Sequence, residues 1–295
     1  MPPITRRAFL KLSLPAGAAM LAGAAPSRLA LGDEKLGQRM AFGMVTYQWG
    51  KDWDLPTLLA NCTRAKIEGV ELRTGHAHKV ERDLNARQRA EVRKRFADSP
   101  VTLVGIGTAE EFHHPDKAAL EKAIEATKAY IELSHDVGGS GVKVRPNDLP
   151  KSVPEEKTIE QIGKALNVVA AYGEGFGQQI RLEVHGKCAP LPIMKRILDV
   201  AVHPNVGLCW NSNATDLAGE GLAANFQLVK ARFGATAHVR PLDSPDYPFA
   251  ELIRLFVQMD YEGWILLEAG GAPRDPIRDL IRQRELFEQY VAAAR

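Results

Sequence analysis

Cysteine is scarce in this chain of 295 residues, and the few cysteines form no motif. There are three, Cys62, Cys188 and Cys209, and no two of them are separated by two residues. The sequence therefore excludes a disulfide framework and a CxxC redox or metal site. We predict unpaired thiols in the core or in loops. A bridge between Cys188 and Cys209, carried on adjacent loops, is the alternative.

The chain begins with an apolar stretch that is too short to cross a membrane. Residues 12–25 contain Pro15 and fall short of the roughly 20 residues of a membrane span. The charged segment at residues 5–11, TRRAFLK, precedes this stretch, and residues 22–24, AGA, offer a small-residue cleavage site. This order is typical of a twin-arginine export signal. We predict that residues 1–24 are removed on export to the periplasm or beyond. A basic amphipathic start or a membrane anchor is the alternative.

The chain has no large excess of charge of either sign. Its formal charge is +2, and loss of residues 1–24 removes Arg6, Arg7 and Lys11 but no acidic residue, which leaves −1. A near-neutral protein lacks the electrostatic footprint of a nucleic-acid-binding protein. We therefore expect no nucleic-acid partner and no stable membrane anchor. The twin-arginine export machinery is the one macromolecular partner that the sequence predicts.

Short apolar runs rich in β-branched residues alternate with amphipathic stretches of helical spacing throughout the rest of the chain. We predict eight strands: Phe42–Tyr47, Val70–Leu72, Val101–Ile106, Gly141–Arg145, Ile180–His185, Val206–Trp210, Thr236–Arg240 and Trp264–Glu268. We predict eight helices: Leu55–Lys66, Ala86–Phe96, Asp116–Val137, Glu155–Ala171, Leu191–Val200, Leu222–Arg232, Phe249–Met259 and Pro276–Ala293.

Eight strand and helix units in alternation predict an α/β fold, the closed parallel (β/α)8 TIM barrel. We assign residues 25–40 to an N-terminal lead-in and residues 41–295 to a single barrel domain, because no break in composition follows the leader. An open doubly wound sheet is the alternative. The G-x-G-x-x-G turn that would favour it does not follow the first strand.

Two of the predicted strands carry a glutamate at or near their carboxyl ends, Glu183 and Glu268. In parallel barrels the working face is formed by the carboxyl ends of the strands, so both carboxylates are expected in one mouth. Five of the eight histidines also fall at that end: His76, His78, His113, His114 and His185. Two carboxylates facing one cavity can remove a proton from one carbon and return it to another. The pattern therefore favours isomerase or epimerase chemistry on a sugar.

Five segments in order along the mature chain resemble the xylose isomerase-like barrels of the sugar phosphate isomerase/epimerase superfamily. They are Gly69–Arg73 (GVELR), Leu182–Gly186 (LEVHG), Val206–Asn211 (VGLCWN), His238–Asp243 (HVRPLD) and Glu262–Glu268 (EGWILLE). The resemblance implies a divalent metal such as Mn, Zn, Co or Mg. It also implies ligands from a glutamate ending strand five, an aspartate ending strand six, a histidine ending strand seven and a glutamate ending strand eight.

Carried over to this sequence, the resemblance gives Glu183, Asn211 and Glu268 as metal ligands, and the two glutamates as the acid/base pair. Asn211 stands where the family has aspartate, and it still offers a neutral oxygen to a hard cation. At the histidine position we align Arg240, which cannot ligate a metal. Its guanidinium would instead neutralise the two carboxylates and polarise a substrate oxygen. His238 is the alternative ligand, expected one layer deeper in the barrel because side chains alternate with period two.

The remaining candidate residues for substrate binding are His185, Arg145, Arg240, Asn211 and Glu71. His185 lies two residues beyond Glu183, and the resemblance implies a contact with a sugar hydroxyl. Its alternative is a solvated loop histidine. Arg145 ends the fourth strand, where it would hold a sugar oxygen or form a salt bridge within the barrel. For Glu183, Glu268 and Arg240 the alternative is an inert buried ion-pair cluster. Buried charges at a barrel mouth nevertheless favour a functional role.

The sequence thus predicts an exported sugar isomerase or epimerase that acts through an enediolate on a free or oxidised sugar or keto-sugar, with a degenerate metal site. A related elimination uses the same proton transfer. The alternative is a non-catalytic carbohydrate-binding barrel that has lost its metal. Metal-dependent phosphodiester hydrolysis is disfavoured by the missing ligands and by the near-neutral charge.

Overall fold

The computed structural model describes residues 36–271 and 273–295. The predicted signal at residues 1–24 and most of the lead-in at residues 25–40 lie outside the described residues. Within the described ranges, no helix has the length and apolar character needed to cross a bilayer.

Eight parallel strands close into a barrel in chain order, which confirms the predicted fold class. The first strand pairs with the second and with the eighth, so the alternative open sheet is excluded. The strands are β1 Ala41–Val45, β2 Gly69–Arg73, β3 Thr102–Glu111, β4 Gly141–Arg145, β5 Gln179–Glu183, β6 Val206–Asn211, β7 Phe233–Val239 and β8 Trp264–Leu267.

A helix follows each strand and covers the outside of the barrel. The helices are α1 Leu55–Ala65, α2 Ala86–Ala97, α3 Lys117–Val137, α4 Glu155–Glu174, α5 Leu191–Val200, α6 Leu222–Val229, α7 Phe249–Gln258 and α8 Pro276–Ala294. Asp116 caps α3 as predicted, because its side chain accepts a hydrogen bond from the Ala119 amide at 2.7 Å. The helix predicted through Arg232 ends as α-helix at Val229 and continues as the 3-10 turn Lys230–Arg232.

The interior of the barrel is only partly apolar. Most buried apolar side chains form one cluster that spans the strands and helices, whereas Val45, Val104 and Leu266 form a small separate cluster. Charged side chains occupy the space next to β3, where glycines leave room for them. A Cβ at Gly107 would lie 2.7 Å from the Glu71 carboxylate. The glycines of β3 therefore leave space for buried charged side chains.

All three cysteines are buried and unpaired, as predicted. The alternative bridge between Cys188 and Cys209 is not formed. Cys209 lies on β6 inside the barrel, and Cys188 lies in the short turn Gly186–Cys188 that follows β5.

Candidate active site

Glu183 and Glu268 converge at the carboxyl ends of β5 and β8. Glu183 is the last residue of β5, and Glu268 directly follows β8. The side-chain amide of Asn211, at the end of β6, donates to Glu183 Oε1 at 2.8 Å and to Glu268 Oε2 at 3.2 Å. The Glu183 side chain is 2% exposed and that of Glu268 is 15% exposed. The Glu183 carboxylate is thus deep in the mouth, and the Glu268 carboxylate is partly exposed.

His238 supplies the imidazole of this cluster. Its Nδ1 lies 3.4 Å from Glu183 Oε1 and 3.7 Å from Glu268 Oε2, and the ring is fully buried. The sheet register pairs His238 of β7 with Asn211 of β6. His238 is therefore level with the mouth, and the expectation that it lies one layer deeper is corrected.

Arg240 does not take the place that the sequence alignment gives it. β7 ends at Val239, so the alternation of the strand no longer directs the Arg240 side chain. Its Nε donates to the Ser212 carbonyl at 3.0 Å, and its guanidinium pairs with Asp246 at 2.8 Å. Within the described ranges no contact joins Arg240 to Glu183 or Glu268. The expected neutralisation of the two carboxylates by this guanidinium is therefore corrected.

A lysine neutralises Glu183 instead. Lys143 points inward from β4, and its Nζ donates to Glu183 Oε2 at 2.6 Å and to the Thr108 carbonyl at 3.1 Å. Both charged side chains are almost completely buried. Burial by itself raises the pKa of Glu183, but the charge of Lys143 and the contacts with His238 outweigh it and hold that pKa well below its usual range. Glu183 is ionised at neutral pH.

Sequence reasoning did not give Lys143 a role beside Glu183. The available signal was its parity with Arg145 on β4, which places the two side chains on the same side of the strand. The same alternation directs Arg181 inward, two residues before Glu183 on β5. Arg181 is fully buried, and its guanidinium donates to the Val104 carbonyl at 3.0 Å and to Ser140 Oγ at 2.7 Å.

Glu71 lies beside His238 and is shielded from solvent. Its Oε1 is 3.2 Å from His238 Nε2, and the side chain is fully buried. Burial raises the pKa of Glu71, but His238, Lys143 and Arg181 together hold it below its ordinary value. The expected contact between Glu71 and substrate is corrected, because a fully buried carboxylate orients the imidazole and has no access to the mouth.

His185 and Arg145 lie on the β4 and β5 side of the mouth. His185 Nδ1 is 2.7 Å from Asn147 Oδ1. Burial lowers the pKa of His185, and the neighbouring Glu183 opposes this effect. Arg145 forms an ion pair with Glu111. The salt bridge that the sequence left as an alternative for Arg145 is therefore present.

The cluster offers a ligand set suited to a divalent metal. Ligand atoms of Glu183, His238 and Glu268 lie within 4.8 Å of one another. Both ring nitrogens of His238 are buried and lack an aligned hydrogen-bond partner among the described residues. One imidazole nitrogen and two carboxylate oxygens suit Zn or Mn, and the side-chain oxygen of Asn211 would be a fourth donor after rotation of its amide. The residues present therefore fit a divalent metal.

Comparison with known proteins supports this architecture. A family model described as a xylose isomerase-like TIM barrel matches residues 59–289. The sequence matches no curated protein.

Three solved structures are similar along nearly their whole length. An L-ribulose 3-epimerase superposes with a TM-score of 0.74 at 16% identity, covering 86% of this chain and 95% of the other. The apo form of 3-keto-D-glucoside 4-epimerase from E. coli gives 0.71 at 13% identity, with 85% and 99% covered. The IOLI protein with a bound zinc atom gives 0.72 at 14% identity, with 87% and 99% covered. At such identities the likeness establishes the fold.

Proposed function

Because this chain belongs to the xylose isomerase-like TIM barrel family, we propose that it isomerises or epimerises a sugar or keto-sugar by proton transfer next to a carbonyl. The observation that carries the proposal is the convergence of Glu183 and Glu268, which the Asn211 amide joins at 2.8 and 3.2 Å. Two of the similar solved structures are epimerases of a keto-sugar and of a keto-glucoside.

The two carboxylates approach a substrate from different sides of the mouth. Glu183 comes from β5 and Glu268 follows β8, and β6 and β7 separate these strands in the barrel. Glu183 is ionised and held by Lys143, so it is positioned to accept a proton from the carbon next to the carbonyl. Glu268, at the more open position, would enter the step protonated and give that proton to the enediolate, and proton exchange with solvent would reset both carboxyl groups. Return to the opposite face of the carbon gives epimerisation, and return to the neighbouring carbon gives isomerisation.

Glu183, His238 and Glu268 would hold a divalent metal, Mn, Zn, Co or Mg, with Asn211 as a fourth donor. A bound metal would polarise the substrate carbonyl and so acidify the adjacent C–H bond. Glu71 orients the His238 ring from below, as a carboxylate behind a ligating histidine does.

Substrate contacts are assigned to polar groups at the rim of the mouth. His185 is directed by Asn147 and lies close enough to Glu183 for its pKa to respond to that charge. It is suited to a hydrogen bond with a sugar hydroxyl. Asn211 bridges the two carboxylates and would orient a substrate oxygen. Arg145 and Arg240 are already paired with carboxylates, so they act on substrate only after exchange of these partners.

The twin-arginine segment at residues 5–11 supports action outside the cytoplasm. We therefore propose a free or oxidised sugar as the substrate.

The test begins with a search for ligands. Keto-sugars, including L-ribulose and a 3-keto-D-glucoside, are screened for an increase in melting temperature, since a ligand that binds the folded state raises it. Compounds that bind are then incubated in deuterium oxide with wild type, Glu183→Gln and Glu268→Gln, and deuterium at the carbon next to the carbonyl is followed by NMR.

We expect exchange in wild type and its loss in both glutamine variants. Glu251→Gln is the matched control, because Glu251 lies on α7 outside the barrel. Undiminished exchange in both site variants would overturn the proton-transfer mechanism.

A second candidate function is sugar binding without catalysis. It is favoured by the tight pairing of Glu183, whose oxygens are taken by Lys143 and Asn211. In that case sugars would raise the melting temperature of wild type, and no deuterium would be incorporated.

A further inference from the structure

A second cluster of metal-binding side chains lies at the end of β3. One ligand atom each from Glu111, His113 and His114 lies within 4.8 Å of the others. The cluster shares no residue with the Glu183, His238 and Glu268 set. The proposed proton transfer makes no use of it.

The chain bends directly after β3, which brings adjacent histidines to one side. Glu111 is the last residue of β3, and the fully buried Phe112 anchors the bend. The rings of His113 and His114 then lie 4.3 Å apart between centroids, inclined at 38°. Consecutive residues on a straight strand would point to opposite faces. The bend is therefore what allows both imidazoles to reach one point.

The loop is fixed by its neighbours. The side-chain amide of Gln161, on α4, donates to the carbonyls of Phe112 and His114 at 2.8 and 2.9 Å. Pro115 follows His114 and restricts its backbone to extended conformations. The backbone that carries the two rings is thus held in place.

One buried nitrogen of the cluster lacks a hydrogen bond among the described residues. His113 is nine-tenths buried, and its Nδ1 forms no hydrogen bond within the described part of the chain. This nitrogen lies 3.6 Å from Glu111 Oε2. A buried nitrogen without a partner costs free energy. A cation between the imidazole and the carboxylate would satisfy both groups.

The second oxygen of Glu111 is already occupied by a cation of the protein. Arg145 pairs with Glu111 Oε1, so Oε2 is the oxygen that faces His113. A ligating carboxylate that is hydrogen-bonded on its other side is the usual arrangement at protein metal sites. The pair also fixes the orientation of the carboxylate.

From this arrangement the geometry points to a second metal site in which Glu111, His113 and His114 bind one Zn²⁺ and leave a position open. Two imidazoles and one carboxylate favour zinc over Mg²⁺ or Ca²⁺, which prefer oxygen ligands. The site lies where the β3 loop meets the Arg145 end of β4, at the same end of the barrel as the two catalytic glutamates.

The test measures zinc binding by the metal-stripped, full-length protein. Isothermal titration with ZnCl2 is combined with the visible spectrum of the Co²⁺ form, which reports nitrogen ligation. All variants carry Glu183→Gln and Glu268→Gln, so that the first cluster is silenced. In this background we expect one Zn²⁺ per chain. His114→Ala should weaken its binding by more than about 100-fold, since loss of a ligand exceeds the effect of losing a group that only orients one.

His135→Ala is the matched control, because His135 lies on α3 and its ring contacts the Phe176 carbonyl instead of the cluster. Glu111→Gln is a second test that keeps the imidazoles. Circular dichroism confirms that each variant is folded. Zinc affinity that is the same in His114→Ala, Glu111→Gln and His135→Ala would overturn the proposal, as would the absence of zinc binding in the background protein.

Discussion

The buried ion pair between Lys143 and Glu183 gives the sharpest stability prediction. The Nζ to Oε2 distance is 2.6 Å, and both side chains are almost fully shielded from water. At an effective dielectric constant of about 20, two unit charges at this separation attract by ~6 kcal/mol. Part of that energy offsets the desolvation of the ammonium group. Lys143→Met leaves Glu183 buried without its partner, and we expect the free energy of unfolding to fall by about 3–5 kcal/mol.

The assay is urea unfolding at neutral pH with a chelator present, so that bound metal does not contribute. Wild type, Lys143→Met, Glu183→Gln and the double variant form a thermodynamic cycle. We expect the double variant to be more stable than the sum of the single effects by about 2–3 kcal/mol, because it carries no unpaired charge. Lys164→Met is the matched control, since the pair of Lys164 with Glu160 is largely exposed and contributes little. A Lys143→Met effect no larger than this control would refute the reasoning, as would strict additivity in the cycle.

Two further predictions concern pH and packing. Burial raises the pKa of Asp216 from 3.8 to about 7, so the folded state takes up a proton that the unfolded state lacks between these pH values. The contribution of Asp216 to the free energy of unfolding is therefore greatest below about pH 4. It is lost as the pH rises through about 7, and the loss is at most about 4 kcal/mol. Asp216→Asn should abolish this loss in urea unfolding at pH 5 and pH 8, and an unchanged loss would contradict the assignment. Gly43→Ala should lower the melting temperature strongly, because its Cβ would overlap the backbone carbonyl of Gly69. Gly270→Ala, which meets nothing within 4 Å, is the control, and equal melting temperatures would exclude the clash.

The fold could be predicted from the sequence because the apolar residues of each strand and helix recur with the period of that element. β4 and α5 have the predicted bounds, Gly141–Arg145 and Leu191–Val200. The largest difference is β3, which was predicted to end at Ile106 and continues to Glu111. Three of its last four residues, Thr108, Glu110 and Glu111, are polar, so apolar content marks the core part of the strand but not its carboxyl end.

Glu183 and Glu268 could be predicted from the sequence for a different reason. A residue at the carboxyl end of a parallel strand lies next to the mouth of the barrel, and Glu183 and Glu268 occupy such positions. Lys143 lies within β4, where both faces of the strand are buried, one against helices and one inside the barrel. Its parity with Arg145 at the end of the strand indicates an inward side chain, but alternation does not show which side chain of a neighbouring strand Lys143 meets. The partner of Glu183 was therefore beyond what periodicity shows.

His238 occupies the place in the site that the sequence alignment gives to Arg240, and the cause is the register of β7. Leu208 of β6 pairs with Phe233 of β7, whereas Trp210 pairs with Ala237, so β7 carries two extra residues across this irregularity. An insertion of two residues keeps the parity of the strand but moves every later side chain along the strand by about 6.6 Å. Alternation allows position 236, 238 or 240 at the mouth, and only the register selects position 238. The irregularity thus brings an imidazole level with Asn211, between Glu71 and the carboxylates of Glu183 and Glu268. The candidate ligand set therefore contains a histidine that the motif spacing does not place there.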